Sequence, residues 1–126
     1  MVFNILVSNT DDHLRNHGFL RDAAGWVLSP AYDMNPVPAD VGPRVLSLSV
    51  DMYGDRTASL QLAMDNAGYY GLSADRAKEI AGEVAGAVKT WSDLTNRYGI
   101  GATQRDYMAS AFEHDDLRQA LSFTCF

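Results

Sequence analysis

Apolar positions along the chain change their period near residue 56. Before it, segments are short and bounded by turn formers. Phe19-Leu20-Arg21 and Trp26-Val27-Leu28 flank Asp22-Ala23-Ala24-Gly25, which predicts a β-hairpin with glycine closing the loop. Pro30, Pro36 and Pro38 then exclude regular helix and strand and predict a stiff, ordered loop. Leu46, Leu48 and Val50 alternate with Ser47 and Ser49, the pattern of a half-buried strand over 45–50. The opening run Val2, Phe3, Ile5, Leu6, Val7 suggests a strand by composition. It also reads as the end of an element that starts upstream, because termini are usually exposed.

After residue 56 the spacing is helical. Leu60, Ala63, Met64, Ala67 and Tyr70 share a stripe that stops at Gly71. Ser73 is placed to cap a second helix, with Asp75 in its first turn. Its apolar face runs through Ala77, Ile80, Ala81, Val84, Val88, Trp91 and Leu94 to Gly99. Thr103 and Asp106 resemble a capping box opening a third helix, with Tyr107, Met108, Ala111 and Phe112 inward and a break at Asp115-Asp116. Gly82-x-x-x-Gly86 predicts close approach of a neighbouring helix in a soluble core. The expected fold class is α+β, mainly α-helical: a small β portion, then about three helices. The expected organisation is a single domain over 1–126, with catalytic and metal-binding loops in 1–56 and helical scaffold in 57–126.

Composition narrows the function classes. Hydrophobic residues make up 47% and charged residues 21%, ordinary for a globular chain. A net charge of −6 without a basic run argues against direct nucleic-acid binding. No apolar stretch approaches the ~18 residues of a membrane span, and the N-terminus has no signal-peptide pattern. Cys125 is the single cysteine, so no internal disulfide forms; the expected location is cytoplasmic.

Candidate chemistry is concentrated in Asn9-Thr10-Asp11-Asp12-His13-Leu14-Arg15-Asn16-His17. Each residue alone has a bland reading, since Asp and Asn favour turns by bonding nearby backbone amides. His13 and His17 have a spacing compatible with one metal on a helix face, yet lack the Glu of H-E-x-x-H. The offset between Asp11 and Asn16 matches that between the base and the metal-binding Asn of the kinase catalytic loop. Asp33 follows beyond the hairpin, in the proline-braced Pro30-Ala31-Tyr32-Asp33. Phosphoryl transfer needs a carboxylate beside the attacking hydroxyl and oxygen ligands for Mg²⁺, which this set offers.

The run Phe3–His17, followed by Trp26-Val27-Leu28-Ser29-Pro30-Ala31-Tyr32-Asp33, resembles the HipA family, the serine/threonine-kinase-like toxins of bacterial toxin–antitoxin modules. The helical remainder is similar in layout to that family's C-terminal lobe. The resemblance implies Asp11 as catalytic base, Asn16 and Asp33 as Mg²⁺ ligands, and His13 and Tyr32, with Asp33, beside bound ATP. It implies that residues 1–8 end a helix rather than a strand, that the substrate is a protein, and that an antitoxin is a partner. Arg15 stands where the family usually has Lys, and a guanidinium fork is not equivalent to an ammonium beside phosphate.

The 126 residues contain no Gly-rich loop and no strand lysine ahead of the catalytic loop, equipment that in the family belongs to a preceding lobe. Positioning alone can supply ~7–11 kcal/mol of barrier reduction, so negligible kinase activity is expected from this chain by itself. An uncovered apolar face around Val2, Phe3 and Leu6 would favour self-association. Two other readings remain open: a non-catalytic half-kinase that binds an antitoxin or a complementing lobe, and a small-molecule kinase of the aminoglycoside or choline type, which Thr10–His13 and Ala31–Asp33 fit less well.

Overall fold

The computed structural model describes residues 1–124; the expectation about Cys125 lies outside them. The chain runs through helix α1 (Val2–Leu6), strands β1 (Phe19–Asp22) and β2 (Gly25–Leu28), then α2 (Leu60–Asp65), α3 (Ala74–Val88), α4 (Trp91–Arg97), α5 (Ala102–Met108) and α6 (Asp115–Ser122). The fold class is α+β, a two-stranded antiparallel hairpin followed by helices.

The start of the chain is helical, as the resemblance implies and composition does not. α1 lies between two apolar clusters. Leu6 and Val7 pack with Leu60, Ala81, Ala85, Val88, Leu117 and Ala120. Ile5, on another side of the same helix, packs with Leu46, Val50, Ala58 and Ala63. Helices this short are marginal alone, so burial on several sides is what holds α1 in place. Every side chain from Asn4 to Asn9 is buried, which makes this segment the floor of whatever the following loop does.

The expected hairpin forms, with Phe19 opposite Leu28, and its strands take in Asp22 and Gly25, expected in the loop, as an opposed pair. Asp22 Oδ1 accepts from the amides of Ala24 and Gly25 at 2.8 and 3.0 Å, closing the turn. Two-stranded ribbons are weakly stable, and this one is tied at its base, where the Ser29 amide donates to the Gly18 carbonyl at 2.8 Å. A Cβ at position 18 would sit 3.1 Å from Ser29 Oγ, so glycine permits that close approach.

Five expectations need correction. Leu6, expected on an uncovered apolar face, is fully buried in the core. The helical stripe expected from Leu60 to Gly71 is broken, α2 ending at Asp65 and a separate 3₁₀ segment, Ala67–Tyr70, following it. Residues 45–50 do not form a strand: Leu46 and Val50 are buried as the alternation requires, but the segment makes only an isolated bridge, Val45 with Thr57. Local side chains take its place. Asp51 Oδ1 accepts from the Tyr53 and Asp55 amides, and Asp55 Oδ1 from that of Thr57, so the backbone bonds to 55–58, from Leu46 to Arg56 and Val50 to Asp55 at 2.7 Å each, stay scattered and form no regular ladder. The helix expected from Ser73 to Gly99 is two helices. Thr90 Oγ1 donates to the Ala87 carbonyl at 2.8 Å, competing with the backbone pattern and ending α3. At the third helix Thr103 and Asp106 do not cap; Gly101 precedes α5 and its amide donates to Gln104 Oε1 at 3.3 Å. Tyr107 lies outward, 52% exposed, and Asp115-Asp116 open α6 instead of merely ending its predecessor.

Ser73 caps α3 as expected, accepting from the Arg76 amide at 3.2 Å. Of the two helical glycines, Gly82 has a close neighbour, though it is the chain just after α6 and not a helix: a Cβ there would lie 2.9 Å from Thr124 Cγ2, whereas Gly86 faces open space.

Candidate active site

α1 ends in a Schellman motif. The Asn9 amide donates back to the Asn4 carbonyl at 2.8 Å and the Ser8 amide to that of Ile5 at 3.3 Å. This geometry requires a left-handed residue at Ser8, whose φ is 54°. Asp33 shares that conformation, at φ 57°, and these are the two non-glycine residues with positive φ among those described. Such conformations cost of order 1–3 kcal/mol each and persist where surrounding contacts over-determine them.

The contacts are present at both positions. Buried Ser8 donates from Oγ to the Ala111 carbonyl at 3.0 Å and accepts from Arg44 Nε at 3.0 Å. Asn9, also buried, donates from Nδ2 to Asn4 Oδ1 at 3.1 Å and to the Asp33 carbonyl at 3.5 Å. Asn9 therefore links the loop after α1 to the loop after the hairpin. Asn35 Nδ2 donates to Asp33 Oδ1 at 2.8 Å, orienting the carboxylate from the other side.

Asp11 to Asn16 forms the exposed lip of the site. Asp11 is exposed; His13 is half-buried and leads into a single 3₁₀ turn, Leu14–Asn16. The Asn16 amide donates to the His13 carbonyl at 2.8 Å, and Asn16 Nδ2 to the Asp11 carbonyl at 3.4 Å. With its NH₂ turned to Asp11, Asn16 presents Oδ1 outward as an acceptor. His13 Nδ1 is buried without a hydrogen-bond partner. Tyr32 lines a cleft of about 170 Å³ with Asn16, Leu28 and Met34, and its hydroxyl donates to the Arg15 carbonyl at 2.7 Å. The phenol is thus already engaged with the loop. Asp11, His13 and Asp33 do not line that cleft.

Residues given no part in the kinase-like set by the sequence complete the site. Asp12 accepts from Asn4 Nδ2 through one carboxylate oxygen and pairs with His17 Nε2 at 2.8 Å through the other. Asn4, Asp12 and His17 line both the Tyr32 cleft and a neighbouring one of about 490 Å³. Asn4 carried a signal, being the one polar position within the apolar run 2–7. Arg44, far along the chain, carried none.

By type, though not lining one cleft, Asn16 and Asp33 offer the oxygens that a hard cation takes. Asn16 Oδ1 and the second oxygen of Asp33 have no protein donor, and Mg²⁺ takes one or two protein oxygens together with phosphates and waters. Among the described residues no three His, Cys, Asp or Glu side chains converge as a closed metal cage.

A family model described as the HipA-like C-terminal domain matches residues 1–91. The chain belongs to the HipA-like C-terminal domain family. The matched stretch contains α1, both site loops, the hairpin, α2 and α3, so Asp11, Asn16 and Asp33 lie inside the family's domain, while Ala111, which Ser8 bonds, lies beyond it. No curated protein and no solved structure matches the chain. No helix among the described residues is long and apolar enough to cross a membrane.

Proposed function

We propose that this HipA-like domain is the catalytic lobe of an ATP- and Mg²⁺-dependent serine/threonine protein kinase. The observation that carries the reading is the joining of two loops: Asn9 ties the segment bearing Asp11 and Asn16 to the peptide of Asp33. Those are the three groups that phosphoryl transfer needs on this side of the nucleotide. Asp11, exposed on the lip, orients the acceptor hydroxyl and receives its proton. Asn16 and Asp33 hold the cation, which when bound neutralises charge on the transferring phosphates. His13 and Tyr32 flank the nucleotide, Tyr32 mainly by fixing the Arg15 carbonyl. Activity from these 126 residues alone is expected to be negligible, because they supply no Gly-rich loop or lysine to position the phosphates.

A second reading is favoured by one feature. Phe19, Trp26 and Leu28 share a face of the hairpin and are 62%, 71% and 62% exposed, an apolar surface suited to a partner such as an antitoxin or a complementing lobe. On that reading the chain is a half-kinase kept as an interaction module. Calorimetry with ATP at millimolar concentration, with and without Mg²⁺, separates the two. The kinase reading expects Mg²⁺-dependent binding that Asp33→Asn abolishes. Equal weak binding by both proteins, or none, would leave the interaction module.

A further inference from the structure

Among the described residues, three helical segments end in the same Schellman geometry. After the 3₁₀ segment Ala67–Tyr70, Gly71 stands at the left-handed position, φ 71°, with the Leu72 amide bonded to the Ala67 carbonyl at 3.2 Å. After α4, Gly99 stands there at φ 69°, with the Ile100 amide bonded to the Thr95 carbonyl at 2.8 Å. After α1 the position is Ser8. Glycine would form the turn without the Cβ penalty, so the serine is there for something the turn itself does not require.

Its hydroxyl shows what that is. Ser8 Oγ is where Arg44 meets the loop. Arg44 spreads its guanidinium over three partners: Nε donates to Ser8 Oγ at 3.0 Å, one terminal nitrogen to the Ile5 carbonyl at 2.7 Å, and the other to Asp116 Oδ2 at 2.6 Å. Asp116 is itself fixed, since its other oxygen accepts from the Leu60 amide at 2.7 Å. His114, two residues before Asp116, reaches the Leu6 carbonyl at 3.2 Å. The free carbonyls at the end of α1 are thus satisfied by Arg44 and by the start of α6, neither of which touches Asp11, Asn16 or Asp33. Ala111, His114 and Asp116 lie beyond the family match, which ends at residue 91.

We propose that Arg44, anchored by Asp116, is a positioning residue for the catalytic loop: it holds Ser8 in the left-handed conformation and, through Asn9, fixes the peptide of Asp33. Its bearing on catalysis rests on the kinase reading above; its conformational content does not. The chain of contacts runs Asp116, Arg44, Ser8, Asn9, Asp33, and its two left-handed non-glycine residues are the two loops being joined. Lysine at position 44 would keep the charge but not the fork that reaches Ser8, Ile5 and Asp116 together.

Amide hydrogen exchange on the whole chain tests this without nucleotide, so a failure of ATP binding leaves it standing or falling on its own. In Arg44→Lys, protection of the Asn9 backbone amide is expected to fall about tenfold, while Ala81 and Ala85 in α3 change less than about twofold. The Asn9 side-chain amide should exchange faster in parallel. Adding Ser8→Gly, which takes the left-handed conformation freely, should restore most of the Asn9 protection. Asp116→Asn, nearly isosteric, should reproduce the Arg44→Lys pattern and serves if the lysine variant does not fold. Equal loss at Asn9 and in α3, or a double variant that exchanges faster than Arg44→Lys alone, would make Arg44 a general stabiliser and overturn the proposal.

Discussion

The ends of α1 and α4 have the same backbone and opposite purposes. At α4 the left-handed residue is Gly99, a Cβ there would meet nothing, and the chain simply turns toward α5. At α1 it is Ser8, buried, with a hydroxyl bonded to Arg44 and to the Ala111 carbonyl. One end relaxes into its turn; the other is held there from outside. The difference locates where this fold spends stability to fix a geometry, and it does so directly before Asp11 and Asn16. Strain that contacts maintain beside a functional loop is a recurring form of pre-organisation.

If that contrast is right, the relaxed end should be sensitive to any Cβ. Gly99→Ala should cost about 1–2 kcal/mol, the penalty of placing an L-residue in the left-handed region. Chemical denaturation of the purified chain reads that difference, and an unchanged midpoint would mean the turn at α4 is not fixed as described. The site residues should be unaffected, since Gly99 touches none of them.

The held end should show a pH signature of smaller size. His114 Nε2 approaches the Leu6 and Ala111 carbonyls at 3.2 Å each, which requires a proton on Nε2 and leaves buried Nδ1 bare. Burial chiefly, and the Arg44 charge secondly, push the His114 pKa below 6.5, against an opposing pull from Asp116. A histidine depressed in the folded state binds fewer protons there than when unfolded. Its stabilisation is therefore complete above about pH 6.5 and is lost as pH falls through the lower folded value. His114→Gln, which can still donate to a carbonyl, should flatten the stability profile on the acid side of neutrality. The variant retaining the full slope would place its origin elsewhere.

Much of this was legible in the sequence, and unevenly so. The hairpin, the Ser73 cap and the left-handed turn at Gly71 follow from local signals, because turn and cap chemistry is decided by a few neighbouring residues. The break at Thr90 was local too, but an apolar stripe continued across it and outweighed the hydroxyl that ends α3. Residues 45–50 had strand periodicity without a partner, and alternation reports burial on one face, not ladder formation. Asp11, Asn16 and Asp33 could be named from spacing and resemblance. What holds them could not: Arg44 and Asp116 are 72 residues apart, and nothing local marks either one.

The most direct test of the central claim, that one assembled site joins the two loops, is an amide NMR titration of the chain with Mg·ATP. The shifts induced by Mg·ATP, beyond those of ATP alone, should cluster at Asn9, Asp11, Asn16 and Asp33, with little change in α3. Shifts concentrated instead along the apolar cleft of Phe3, Trp91 and Met108, or changes at one loop without the other, would contradict it.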